Sequence, residues 1–145
     1  MVTYQKVRRI AAVLKLMLVE DDRVLLELPL SARGWDRSEL MTEFERLDGD
    51  LDRFSRLFNT LSNAGRIRMM TTFFEEADRP IGFTELMNEL GMNPKIIWDG
   101  TKRLRQSGLI EKDGEGRYRP TRDGEAQFLM VSVALRRLLR ILDEM

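Results

Sequence analysis

Between Phe83 and Thr121 the chain changes backbone habit at such short intervals that few arrangements can satisfy it. Phe83-Thr84-Glu85-Leu86-Met87-Asn88-Glu89-Leu90 spaces its apolar residues as one face of a helix. Gly91 follows, the residue that enters the left-handed C′ conformation without a Cβ clash. Asn93-Pro94 then restarts a helix: asparagine can cap the first N–H groups, and proline at the first helical position gives up an N–H that has no partner there. Ile97, Thr101 and Leu104 supply the second helix with a buried stripe, and Ser107-Gly108 ends it. Leu109 to Asp113, the tip Gly114-Glu115-Gly116, and Arg117-Tyr118-Arg119 read as a hairpin. The expected order is helix, tight turn, helix, strand, glycine turn, strand.

The flanks read mostly as helix. Tyr4, Val7, Ala11, Leu14 and Leu18 follow three-four spacing, so a helix is expected from Tyr4 to Leu18. Arg23 to Leu28 is apolar enough for helix or strand, and Pro29 with Ser31-Ala32-Arg33-Gly34 breaks it. Asp36, with Glu39 three residues on, opens a helix to about Leu47. Leu51, Phe54, Leu57, Phe58 and Leu61 form one apolar face, and Asn63 caps a further helix that runs to Asp78-Arg79-Pro80. Thr121 caps the last helix. On it Phe128, Val131, Leu135, Leu138, Leu142 and Met145 make a heptad seam with Arg136, Arg137 and Arg140 off it. A seam that narrow suits a partner helix, most simply its twin in a two-fold dimer, a role favoured over packing on the protein's own core or on the N-terminal helix.

Composition removes whole classes of chemistry. The 145 residues include no cysteine and no histidine, which excludes disulfides, thiolate or imidazole catalysis, and ordinary zinc, copper or iron sites. No apolar run approaches the roughly 20 residues that cross a bilayer. Lys6, Arg8 and Arg9 ahead of Ile10–Val19 imitate a signal peptide, but acidic Glu20-Asp21-Asp22 follows without a small-residue cleavage site, so a cytoplasmic location is expected. The net charge is zero, yet it is sorted: residues 92–122 carry a net +4 and residues 36–62 a net −3.

From about Leu51 to Arg122 the sequence resembles the ArsR-like winged-helix repressors, the arsenic- and metal-responsive regulators and their non-metal relatives. The residues that carry the likeness are Leu57-Phe58-Asn59-Thr60-Leu61-Ser62-Asn63-Ala64-Gly65-Arg66-Ile67-Arg68, Glu85-Leu86, Leu90-Gly91-Met92-Asn93-Pro94, Lys102 to Ile110, and the glycine-tipped hairpin. Tyr118-Arg119-Pro120-Thr121 with Gly124 echoes an exit shared with MarR- and PadR-like regulators. The resemblance implies a mainly α winged helix-turn-helix with a small two-stranded β wing and long N- and C-terminal helices. Together with the helical reading of the flanks, it divides the chain into an N-terminal helical extension (1–49, for dimerisation or of unknown role), a winged helix-turn-helix DNA-binding domain (50–121) and a C-terminal dimerisation helix (122–145).

The resemblance further implies a homodimeric regulator of transcription on double-stranded DNA. The helix at about 94–107 would enter the major groove, and the wing at about 109–120 would meet the backbone. With Ile97 facing the core, Lys95, Lys102 and Gln106 point nearly opposite, and Trp98 and Asp99 flank them. The DNA-facing set is Lys95, Trp98, Asp99, Lys102, Arg103 and Gln106, with Lys112, Arg117 and Arg119 from the wing. Trp98 either wedges against a thymine methyl or folds back on the wing, and packing is the favoured role. The dimer set is Phe128, Val131, Leu135, Leu138 and Leu142.

The family's metal sensors use cysteine and histidine, so a soft-metal sensor is excluded, and no cofactor is expected. Met69, Met70, Phe73, Phe74, Met87 and Met130 could line an adaptable effector pocket, though ordinary core is the favoured role and the effector stays open. Leu16 to Asp22 followed by Val24-Leu25-Leu26 imitates the first strand and acidic pair of a phosphorylation receiver, but helical sequence fills the space such a sheet needs. No glycine-rich phosphate loop and no apolar-flanked carboxylate pair supports an enzyme. The alternative is a winged-helix module that binds protein and never reads DNA.

Overall fold

The computed structural model describes residues 14–76 and 79–145. The chain divides into two compact units, one ending at Leu51 and one running from Asp52 to Glu144.

In the first unit, β1 (Lys15–Glu20) and β2 (Arg23–Pro29) form an antiparallel hairpin. This replaces the helix expected to reach Leu18. The part of that helix from Tyr4 to Val13 lies outside the described residues. The reason is local. Leu16, Met17, Leu18 and Val19 are all apolar, so the run satisfies a helical period and an alternating one equally well. Asp21-Asp22 decides between them by turning the chain, with Asp21 at φ 53°, a left-handed conformation that Asp tolerates better than most side chains. The extension is therefore part strand, not helical throughout. A short 3₁₀ turn, Ala32–Gly34, leads to α1 (Arg37–Gly49), whose N-cap Asp36 accepts from the N–H groups of Ser38 and Glu39. No described residue up to Leu51 is buried.

The second unit carries the core. α2 (Leu51–Leu61) turns into α3 (Ala64–Glu75) at Asn63, whose Oδ1 accepts from the Arg66 N–H at 3.0 Å. The Arg66 guanidinium reaches back to the carbonyls of Thr60 (2.6 Å) and Asn59 (3.0 Å), partnering acceptors that the end of α2 leaves open. α4 (Phe83–Leu90) stops at Gly91, φ 61°, and α5 (Pro94–Gln106) starts from Asn93, whose side chain accepts from the Ile96 N–H at 2.9 Å. Both helix boundaries fall where the sequence placed them. β3 (Ile110–Lys112) and β4 (Tyr118–Pro120) form the hairpin, with Glu111 opposite Arg119. Ile81 adds an isolated bridge to Tyr118 through two backbone hydrogen bonds of 2.8 and 2.7 Å, a third edge that no sequence signal announced.

Met69, Met70, Phe73, Leu86, Ile97 and Leu104 lie at the centre of the core, closed by Tyr118 and Phe128. Met69, Met70 and Phe73 are therefore packing residues, while Met130 is exposed, so these side chains do not share one pocket wall. Gly100, a costly residue inside a helix, has a reason to be there: a Cβ would collide with the Met69 Cε and stand 2.6 Å from its Sδ, where α3 and α5 approach.

α6 (Arg122–Leu129) begins at Thr121. Its hydroxyl accepts from the Gly124 N–H (2.8 Å) and donates to the Gly108 carbonyl (2.7 Å), fastening the last helix to the end of α5. A π turn, Met130–Ala134, carries the chain into α7 (Leu135–Glu144). That turn takes an extra residue, so the apolar stripe starting at Phe128 does not run on in phase to Leu135. Phe128 accordingly leaves the expected dimer seam. It is 4% exposed and its ring stacks on Phe74 with centroids 5.4 Å apart. Leu135, Leu139 and Leu142 on α7 are exposed, and Val131 and Leu138 are half-buried.

Candidate nucleic-acid interface

α5 buries Ile97, Gly100, Thr101 and Leu104 and turns the rest of its circumference outward. Lys95, Trp98, Asp99, Lys102, Arg103 and Gln106 are all exposed. Trp98 is 52% exposed, which overturns the packing role favoured for it, and Ile96 beside it is 47% exposed. The outward face of this helix thus presents apolar as well as cationic groups.

The hairpin joins the C-terminal half of that face. Lys102, Arg105 and Gln106 from α5, with Ile110, Glu111 and Lys112 from β3, line one shallow groove of about 560 Å³. The structure therefore brings Lys102, Gln106 and Lys112 together, and adds Arg105, which the expected DNA-facing set did not include. The signal for Arg105 was its place in the last turn of α5, just before the hairpin folds back. Arg103 lies elsewhere on the helix, toward Arg66. The Arg66 pKa is lowered by burial first and by the Arg103 charge second.

Charge pairing separates the cations into two groups. Arg119 Nε donates to Glu111 Oε1 across the hairpin at 2.9 Å. Arg117 is bonded to Glu115 and stands 3.8 Å from an Asp113 oxygen. Among the described residues, Lys95, Lys102, Arg103, Arg105 and Lys112 make no ion pair. Lys112 sits over the Tyr118 ring, 5.6 Å from its centroid, which holds its ammonium near the groove without neutralising it. The wing arginines proposed from sequence as phosphate ligands are thus already partnered, and the unpaired cations lie on α5 and β3.

The wing tip is held by one carboxylate. Asp113 Oδ1 accepts from the N–H groups of Glu115 and Arg117, both at 2.9 Å, while Gly116 takes φ 80°. The Arg117 N–H, and after it that of Glu115, favours the charged form and holds the Asp113 carboxyl below its usual value. A depressed carboxyl stabilises the fold above its unfolded pKa, near 3.9, and that contribution is lost as pH falls through the folded value. The wing should therefore loosen below about pH 4. Amide protection factors at Glu115 and Arg117 that fall there in the native protein, and at neutral pH in Asp113→Ala, are the expected result. Protection indifferent to both changes would remove Asp113 from that role.

No protein-family model matches the chain, and no curated protein matches it. Solved structures do. The homodimeric winged helix-turn-helix DNA-binding domain of a possible ArsR-family transcriptional regulator from Mycobacterium bovis, determined in solution, superposes with a TM-score of 0.53 at 23% identity, over 63% of this chain and 85% of that one. A crystal structure of a possible transcriptional regulatory protein from the same organism, fragment 1–100, gives 0.52 at 24% identity over 59% and 94%. At these identities the likeness is one of fold. Helix, turn, helix and wing in this chain form a winged helix-turn-helix, mainly α, as the spacing of its residues predicted.

Proposed function

We propose that this winged helix acts as a homodimeric, sequence-specific DNA-binding regulator of transcription, with α5 in the major groove and the β3–β4 wing on the backbone. One observation carries the reading: Lys102, Arg105 and Lys112 line a single groove between the second motif helix and the wing, with no ion-pair partner among the described residues. Cations so placed release condensed counterions when they meet phosphate, which is the main source of non-specific affinity for a duplex. Gln106 and Lys95 on the same helix can address base edges, and exposed Trp98 and Ile96 can meet thymine methyls. The M. bovis domain of the same fold is described as homodimeric and DNA-binding, which supports both halves of the reading.

The dimer is assigned to α7, where Leu135, Leu138 and Leu142 recur at helical spacing and Leu135 and Leu142 are exposed. Leu135→Glu with Leu138→Glu should yield monomers by sedimentation while the winged helix keeps its melting temperature, because neither residue belongs to the core. An unchanged mass would remove α7 from the interface.

A second reading has its own support. Arg117 and Arg119 are held by Asp113, Glu115 and Glu111, so the wing offers a duplex little net charge, and such a surface suits a protein partner. Titrating binding to a random-sequence duplex against salt separates the two. Affinity that falls steeply with salt supports phosphate binding, and no binding at low salt supports the protein-binding module.

A further inference from the structure

The N-terminal hairpin presents more apolar surface than it can keep alone. Leu16, Met17, Leu18 and Val19 on β1, and Val24, Leu25 and Leu26 on β2, are each between 37% and 55% exposed, and they occupy both faces because neighbours along a strand alternate. A two-stranded hairpin is marginal in water by itself. This one must meet something, and its two edges differ in what they allow.

Backbone parity follows from the register. Leu30 donates its N–H to the Leu14 carbonyl at 2.7 Å, and Leu16 and Leu18 oppose Leu28 and Leu26. Even-numbered β1 residues therefore bond inward to β2, and Lys15, Met17 and Val19 turn their N–H and C=O groups outward. The outward residues of β2 include Pro29, which has no N–H, and the register shift between Leu18 and Val19 leaves Leu25 as an extra residue on β2. Proline and a bulge are two devices that blunt a sheet edge. The β1 edge has neither, and it is unpaired among the described residues.

We infer that the β1 edge pairs antiparallel with β1 of a second copy of this chain, making a four-stranded sheet across a two-fold axis near Met17 and Leu18. Two features select a second copy as the occupant. Among the described residues one edge alone is open, so pairing of like with like closes at two chains, whereas a hairpin open on both edges would polymerise. The strand is also charge-polar: Lys15, ion-paired with Glu27 of β2 at 2.9 Å, stands at its start and the acidic run Glu20-Asp21-Asp22 at its end. Antiparallel pairing sets the lysine end of one copy beside the acidic end of the other, and parallel pairing would set like charges together. This inference is independent of DNA binding and of the seam on α7.

The chain has no cysteine, so engineered thiols test it directly. Met17→Cys and Leu18→Cys, made singly in the full chain, test the two axis positions that this parity allows: the residue on the axis faces its own copy about 5 Å away and should give a disulfide-linked dimer under mild oxidation, while its neighbour is offset by two residues along the strands. Cross-linking should be at least tenfold faster than in the control Glu27→Cys on β2, and adding Val19→Pro, which deletes an outward N–H, should return it to the control rate. Circular dichroism of the Val19→Pro protein checks that the chain still folds. Equal rates at Met17, Leu18 and Glu27, or rates untouched by Val19→Pro in a folded protein, would overturn the pairing whatever the α7 seam and DNA experiments give.

Discussion

Gly124→Ala should cost the protein about 3 kcal/mol or more and lower its melting temperature by roughly 10 °C. A Cβ at this position would collide with the carbonyl oxygen of Leu109 and stand 2.6 Å from its carbonyl carbon and Cα, all main-chain atoms. Leu109 cannot withdraw. Its side chain is wholly buried, its N–H donates to the Leu104 carbonyl at 3.0 Å, and its carbonyl accepts from the Thr121 N–H at 3.1 Å. Relief has to come from moving α6 off the base of the wing, which strains the Thr121 cap and the Phe128–Phe74 stack together. Other glycines calibrate the claim. Gly91→Ala meets nothing within 4 Å and carries only the left-handed backbone penalty, about 1 kcal/mol. Gly100→Ala meets the flexible end of Met69 and gains helix propensity, so it should fall between the two. Thermal melts of the three variants check the order. A Gly124→Ala protein that melts within a few degrees of the parent would mean that α6 does not abut Leu109 this closely.

Lys102→Glu combined with Lys112→Glu should remove measurable DNA binding while leaving fold and oligomeric state intact. Removing a cation from one phosphate should flatten the log–log salt dependence by about 0.9 and weaken binding roughly tenfold near 0.1 M salt, and reversed charges add repulsion. Both side chains are exposed and neither makes an ion pair with a described residue, so stability should hardly change. Arg117→Gln should do less, because Arg117 already shares its charge with Asp113 and Glu115. Glu111→Gln should strengthen binding, since it releases Arg119 and removes the one carboxylate lining the groove. Fluorescence anisotropy at several salt concentrations reads all three variants. If the double lysine variant binds duplex as the parent does, the groove is not the phosphate-binding surface.

Local chemistry made much of the second unit legible. Asn63, Asn93 and Thr121 each cap the helix expected of them, Gly91 takes the left-handed stop, and Gly116 the turn of the wing. These are effects of a residue on its own backbone within a few positions, which a sequence displays openly. The candidate interface was legible in part. Exposure of Lys95, Lys102 and Gln106 followed from the period of α5, but the pairing of Arg119 with Glu111 depended on strand register.

The same boundary runs through the whole chain. Sequence alone determined the order of helix, turn, helix and wing, the caps that bound them, and the absence of thiol and imidazole chemistry, because each depends on composition or near neighbours. Tertiary structure alone decided that Phe128 packs inward beside Phe74, that Ile81 bridges Tyr118, and why Gly124 must lack a side chain. Each of those outcomes rests on segments distant along the chain meeting in space, where a continuous apolar run or a lone glycine reads the same in several folds until a partner surface arrives.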